Sequence, residues 1–174
     1  RLNDRTLAMA LLNGLIEKTQ SNAAVQALAN IPIPPRSEHH PEWLPTRFAA
    51  PDGVASEALI GICHPGNAHY RLQALIRNGY AECALRDLTG RWARMPSVES
   101  NNTLCEYWDM TPSEEAWCQG IPAPLTVWYS DIVGVRPLLP AFRRFSFTPS
   151  PAGLATVQAA IETPHGRLEA RVDG

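Results

Sequence analysis

The residues with the most chemical potential fall in one stretch, Asn101-Asn102-Thr103-Leu104-Cys105-Glu106-Tyr107-Trp108-Asp109. A carboxylate beside tyrosine and tryptophan suits work on sugars. The aromatic faces stack on the apolar face of a pyranose ring, and a carboxylate such as Glu106 orients or deprotonates a water. The stretch is polar and turn-rich, and loops of that kind concentrate catalytic residues. On spacing alone a plainer reading is preferred, in which the acids are solvated and the aromatics plug the core, because clustered acids also serve structural roles.

A second group, Ser113-Glu114-Glu115-Ala116-Trp117, combines a hydroxyl and two acids at a helix start. Such residues complement the exposed amides and the positive end of the helix dipole, so capping is its ordinary role. The histidines give no metal signature. His39-His40 are adjacent and point different ways, and His64 and His69 flank a helix start without a carboxylate at the H-E-x-x-H spacing. No metal or cofactor is expected. Cys63, Cys83, Cys105 and Cys118 have no C-x-x-C pair and read as buried free thiols, which leaves the compartment open. There is no glycine-rich phosphate loop and no G-x-S-x-G elbow. Trp92 falls on an apolar helix face and reads as core, His165 reads as a solvated turn residue, and Arg143-Arg144 read as exposed strand residues.

The elements that must position these groups follow from periodicity. Leu7, Leu11, Leu15 and Leu12, Ile16 repeat at i, i+4, which predicts a helix over 4–19 capped by Asn3 or Asp4. Ser21-Asn22 can cap a second, short helix, Ala23 to Ala29. Six prolines from Pro32 to Pro51 then predict a long irregular loop. From Pro65, Ala68, Leu72, Leu75 and Ile76 share one face, and Asn78-Gly79 stops that helix. Ala81, Ala84, Leu85, Leu88 and Trp92 form the next face, so the two helices make an antiparallel αα-hairpin. Residues 96–112 read as loop. A further helix is expected from about Ser113 to Val133, broken or restarted at Pro122 and Pro124, and Pro137 and Pro140 mark a linker.

After Phe142 the period becomes two. Phe145 and Phe147, then Val157, Ala159 and Ile161, then Leu168, Ala170 and Val172 alternate with polar residues, and Thr163-Pro164-His165-Gly166 is a turn. The fold class is therefore mainly α, with 1–140 helical and 141–174 opening a β-domain. Three strands cannot close a sandwich, and Asp173-Gly174 reads as a turn toward a fourth strand, so both ends read as cut from something larger. Repeated helical hairpins fit a barrel of helix pairs.

The chain has 174 residues, 45% hydrophobic and 18% charged, which excludes a disordered chain. A net charge of −2 argues against nucleic acid as a partner. No apolar run approaches the ~20 residues of a membrane span, and the apolar start, interrupted by Asn13 and Gly14, is a poor signal peptide.

Three stretches carry a family resemblance: Tyr70 to Met95, "YRLQALIRNGYAECALRDLTGRWARM"; Thr103 to Asp109, "TLCEYWD"; and Ser113 to Pro151, which contains "GVRP". In this order they resemble the C-terminal portion of bacterial α-L-rhamnosidases, inverting glycoside hydrolases with a catalytic barrel of helix pairs. The resemblance implies the last helices of an (α/α) barrel followed by the first strands of a C-terminal β-sandwich domain. "TLCEYWD" resembles the family's T-x-W-E-x-W pattern, whose glutamate is the general base, which implies that role for Glu106. Tyr107, Trp108, Glu115 and Trp117 would then meet the sugar. Cys105 stands where the family commonly has tryptophan. Glu114 and Glu115 stand where it often has a histidine, and an extra carboxylate there suits a different hydroxyl pattern. The family's general acid lies upstream, so this chain alone is expected to be inactive. The implied partners are a rhamnose-containing glycan or glycoside and the rest of the parent polypeptide. Two other readings stay open: a different glycosidase on the same barrel, and a non-catalytic glycan-binding or structural module.

Overall fold

The computed structural model describes residues 3–31, 63, 65–105, 108 and 123–174. Helix α1 runs Asp4–Leu12. The Asn3 side chain caps it, its Oδ1 accepting from the Thr6 backbone N–H at 2.8 Å and from the Thr6 hydroxyl at 2.9 Å. The expected single helix over 4–19 is corrected. Asn13 and Gly14 end α1, with Gly14 in the left-handed region at φ +65°, and Leu15 is left exposed. Helix α2, Lys18–Ala29, starts well ahead of the expected Ala23. Leu7 is buried in α1, and Val25 and Leu28 are buried in α2.

Helix α3, Pro65–Arg77, is the central element. Ala68, Leu72, Ala74, Leu75 and Ile76 are all buried, and α1, α2, α4 and α6 pack around it. Fully burying a leucine stabilises by roughly 1.5–3 kcal/mol, so this face anchors the helical layer. Asn78-Gly79 closes α3 with Gly79 at φ +85°. Helix α4, Ala81–Asp87, then returns along it, as the hairpin pattern requires. Helix α4 runs on into a π-helical turn, Leu88–Trp92, closed by the Ala93 N–H on the Leu88 carbonyl at 2.9 Å. Trp92 is core, as expected.

Residues 96–101, expected as loop, instead form a short helix α5, Pro96–Asn101. Proline takes the first helical position, where its missing N–H costs nothing, and Asn102 at φ 56° ends the helix. Helix α6, Ala123–Val127, carries Pro124 in its first turn and also continues as a π turn, Trp128–Ile132. The expected helix start at Ser113 lies outside the described residues, as does the proline-rich loop. Among the described residues no helix is long and apolar enough to cross a membrane.

The β region opens earlier than the alternation suggested. Strand β1, Val135–Pro137, pairs antiparallel with β2, Phe145–Phe147, in the register Val135↔Phe147. The expected linker at Pro137 and Pro140 is thus a strand end and a single 3-10 turn, Pro140–Phe142. Arg143 and Arg144 are exposed, in the bend before β2 rather than in the strand. Strands β3, Thr156–Thr163, and β4, Gly166–Asp173, form a second hairpin turning at Pro164-His165, with Val157↔Val172, Ala159↔Ala170 and Ile161↔Leu168 opposed. Those six residues form its inner face while Gln158, Glu162, Arg167, Glu169 and Arg171 face out, which is the alternation read from the sequence.

Two features join the helices to the strands. Asp131, buried in the second π turn, accepts from Gln73 at 3.1 Å, from Arg77 at 3.0 Å, from Ser130 at 2.7 Å and from Arg136 of β1. One carboxylate therefore ties α3 to the strand. Gly134, at φ +82°, lets the backbones of 134 and 148 approach, with the Thr148 N–H on the Gly134 carbonyl at 2.8 Å. A Cβ at Gly134 would lie 2.1 Å from the Thr148 carbonyl oxygen. Gly134→Ala is expected to cost about 2–4 kcal/mol in urea denaturation. Gly14→Ala, with nothing within 4 Å of the new Cβ, should cost about 1 kcal/mol from backbone strain alone. Equal costs for the two variants would show that the approach of 134 to 148 is unimportant.

Candidate functional site

The geometry around Trp108 begins with Asp87 at the end of α4. Asp87 is buried and meets two guanidinium groups: Arg71 of α3 through Nη2 to Oδ2, and Arg91 of the π turn through Nε to Oδ1 at 2.9 Å. All three side chains are more than nine-tenths buried. A buried charge is tolerated only when paired and hydrogen-bonded. Burial by itself pushes the Asp87 carboxyl up, but Arg71 and then Arg91 outweigh it and hold the group below the usual carboxylate range.

Arg71 also faces a second acid. Its Nε lies 3.8 Å from Oδ2 of Asp4, which sits fully buried in the first turn of α1. Burial favours the neutral form of Arg71, and the attraction of Asp87 and Asp4 overcomes that, raising it above the ordinary guanidinium value. Two acids and two arginines thus neutralise one another inside the helical layer. Asp4 does not serve as the cap allowed from the sequence, since Asn3 does. Asp4 Oδ1 instead accepts the backbone N–H of Cys63 at 2.8 Å and that of Arg5 at 2.7 Å.

Cys63 carries the connection onward through its backbone. Its carbonyl accepts the indole N–H of Trp108 at 2.9 Å. Its thiol is pushed far up, by burial first and by Asp4 second, so it stays protonated and is no nucleophile at neutral pH. Trp108 is held at two further points. Its ring meets Trp92 edge-on with centroids 4.9 Å apart. The Arg91 guanidinium carbon lies 5.5 Å from its ring centroid, within cation–π range. The contacts therefore close a ring, from Trp108 through Cys63, Asp4, Arg71, Asp87 and Arg91 back to Trp108.

Of the residues named from the sequence, Trp108 is half-buried at this junction, and Cys105 is fully buried in the core. Glu106, Tyr107, Glu115 and Trp117 lie outside the described residues, as do His39, His40 and His64. Cys63, Cys83 and Cys105 are free. His69 is half-buried against Tyr70, and burial lowers its pKa. His165 is exposed in its turn. A cleft of about 390 Å³ lined by Leu28, Ile31, Arg71, Leu75, Cys83, Arg86 and Asp87 holds none of the residues nominated for catalysis or sugar binding. Sequence reasoning missed Asp4, Arg71, Asp87 and Arg91. The one available signal was Asp87 and Arg91, an opposite-charge pair at i, i+4 beside an otherwise apolar helix face.

Residues 134–172 match the family described as bacterial alpha-L-rhamnosidase C-terminal domain. The chain is similar to the C-terminal portion of a bacterial α-L-rhamnosidase. Gly134, where the match starts, immediately precedes β1. Among solved structures, the GH78 family rhamnosidase of Bacillus sp. GL1 matches with a TM-score of 0.65 at 16% identity, over 98% of this chain and 16% of that one. At that identity the likeness concerns the fold. The helices and antiparallel strands of this rhamnosidase-like chain follow those of that protein, of which it spans only a small part. No curated protein matches the sequence.

The Asp87 carboxyl sets a pH dependence whose sign is determined. Its folded pKa lies below the ordinary 3.8, so its contribution is complete above that value and is lost as pH falls through the folded value. Denaturant midpoints should be level near neutrality and fall below about pH 4. Asp87→Asn, which leaves two buried arginines short of a counter-charge, should cost about 3–5 kcal/mol at pH 7 and give a shallower acid slope. An unchanged acid slope in that variant would assign the effect to other carboxylates.

Proposed function

We propose that the polypeptide carrying this chain is a glycoside hydrolase that cleaves terminal α-L-rhamnosides with inversion, with Glu106 as the general base. The observation that carries this is the match of residues 134–172 to the rhamnosidase C-terminal domain, preceded by "TLCEYWD" at 103–109. The structural likeness over 98% of the chain supports it at the level of fold. In this reading the helices before Gly134 are the last helices of an (α/α) barrel, and the strands from Val135 onward are the first strands of the β-sandwich domain.

The mechanism is a single displacement. Glu106 takes a proton from a water that attacks the anomeric carbon as the glycosidic bond breaks. A carboxylic acid on the other face protonates the leaving oxygen. The two carboxyls stand roughly 6.5–9.5 Å apart so that the water fits between them. The acid is assigned to the upstream part of the polypeptide, so this chain alone does not turn over substrate. Tyr107, Trp108 and Trp117 stack on the sugar, and Glu115 accepts from its hydroxyls. The partner is carbohydrate, and no cofactor or metal enters the step.

Glu106→Gln in the full-length polypeptide should lower kcat on p-nitrophenyl α-L-rhamnoside by about 10²–10⁴-fold. The product anomer, followed by NMR, should be inverted. Near wild-type turnover in the variant would remove Glu106 from the mechanism. Turnover by residues 1–174 alone would place a complete catalytic pair in this chain.

A further inference from the structure

We propose that Arg91 is a positioning residue for the sugar site, acting through the plane of the Trp108 ring. The inference rests on the hydrolase reading for its substrate and on the structure for its geometry.

Arg91 is in a π turn, whose hydrogen bond spans one residue more than an α-helix's and so rotates the side chains that follow. In that turn Arg91 reaches back to Asp87 at 2.9 Å while its guanidinium lies 5.5 Å from the Trp108 ring centroid. Trp92, its neighbour in the chain, holds the same ring edge-on. On its other side the indole N–H is fixed by the Cys63 carbonyl, which Asp4 secures through the Cys63 N–H. Two routes through the fold thus converge on one half-exposed tryptophan, and Arg71 joins them by meeting both Asp4 and Asp87.

A core tryptophan needs an acceptor for its indole N–H, which Cys63 supplies, but it needs no guanidinium on its ring. Four buried charges are costly, and a hydrophobic substitute of similar volume is often as stable or more so. What the charges add is direction. A guanidinium held by a carboxylate keeps one orientation, and the ring facing it keeps one plane. A stacking surface for a pyranose needs that, since sugar and ring must lie parallel and a tilted ring loses contact area. Arg91 is therefore assigned to substrate affinity and makes no contact with the reacting atoms.

The test is a double-mutant cycle in the full-length polypeptide with p-nitrophenyl α-L-rhamnoside. Arg91→Met should raise KM about tenfold, as expected for a desolvated cation–π contact, and move kcat by less. Trp108→Phe should raise KM as well. The double variant should be no worse than Trp108→Phe, because Arg91 acts through that ring. Arg91→Lys keeps the charge but loses the planar guanidinium whose Nε meets Asp87 at 2.9 Å, so its KM should fall between wild type and Arg91→Met. If Arg91→Met does not fold, the lysine variant enters the same cycle. Additive penalties, or an unchanged KM, would overturn the proposal.

A sugar-free readout separates this proposal from the hydrolase reading. The difference in acrylamide quenching between wild type and Trp108→Phe isolates the emission of Trp108. Replacing Arg91 should make that emission more quenchable. If wild type neither binds nor cleaves the rhamnoside, the hydrolase reading falls while the quenching still decides the role of Arg91. Unchanged quenching overturns that role.

Discussion

Asp4, Arg71, Asp87 and Arg91 are withdrawn from water together, and none of them can be buried without the others. That constraint organises the helical layer. Asp4 fixes where α1 begins against α3, because a carboxylate in its first turn must reach Arg71. Arg71 fixes the facing of α3 toward α4, because it must also reach Asp87. Arg91 fixes the turn after α4, because Asp87 has a second oxygen to satisfy. The leucines of α3 supply most of the stabilising burial but would tolerate sliding. Charges in a low dielectric do not, since their energy falls away with distance and they have no alternative partner in solvent.

A second carboxylate does comparable work at the other end of the layer. Asp131 gathers Gln73 and Arg77 of α3 with Arg136 of β1, and so sets the first strand against the helices. Both buried acid clusters include a residue of a π turn, Arg91 in one and Asp131 in the other. In each case the wider turn brings a charged side chain inward at the end of a short α-helix. The cost in backbone geometry is offset by ion pairs that a regular helix would have aimed elsewhere.

Legibility from the sequence tracked how local each feature is. The α3–α4 hairpin was readable because its apolar residues repeat every three or four positions and Asn78-Gly79 ends the first helix. The β3–β4 hairpin was readable because alternation and a two-residue turn specify register. The break at Asn13-Gly14 was misread as a continuing helix because Leu15 and Ile16 keep the apolar period beyond it, although Leu15 is exposed. Strand β1 was missed because its three residues include a proline and are too few to show alternation. Helix α5 was missed because its residues are polar, and Pro96 marks a helix start as readily as a loop.

By itself the sequence determined the α3–α4 and β3–β4 hairpins, the likeness to a rhamnosidase C-terminal portion, and the candidates Glu106, Tyr107, Trp108, Glu115 and Trp117. Each depends on residue type and spacing within a few turns of chain. The tertiary structure alone decided which charges meet. Asp4 and Cys63 are 59 positions apart, and Cys63 and Trp108 are 45 apart. No periodicity spans such distances, because a long-range pairing is set by how whole helices pack. The sequence therefore presented Asp4 as a possible helix cap and Trp108 as a possible sugar platform. Only the packed fold made both of them members of one buried ring of contacts.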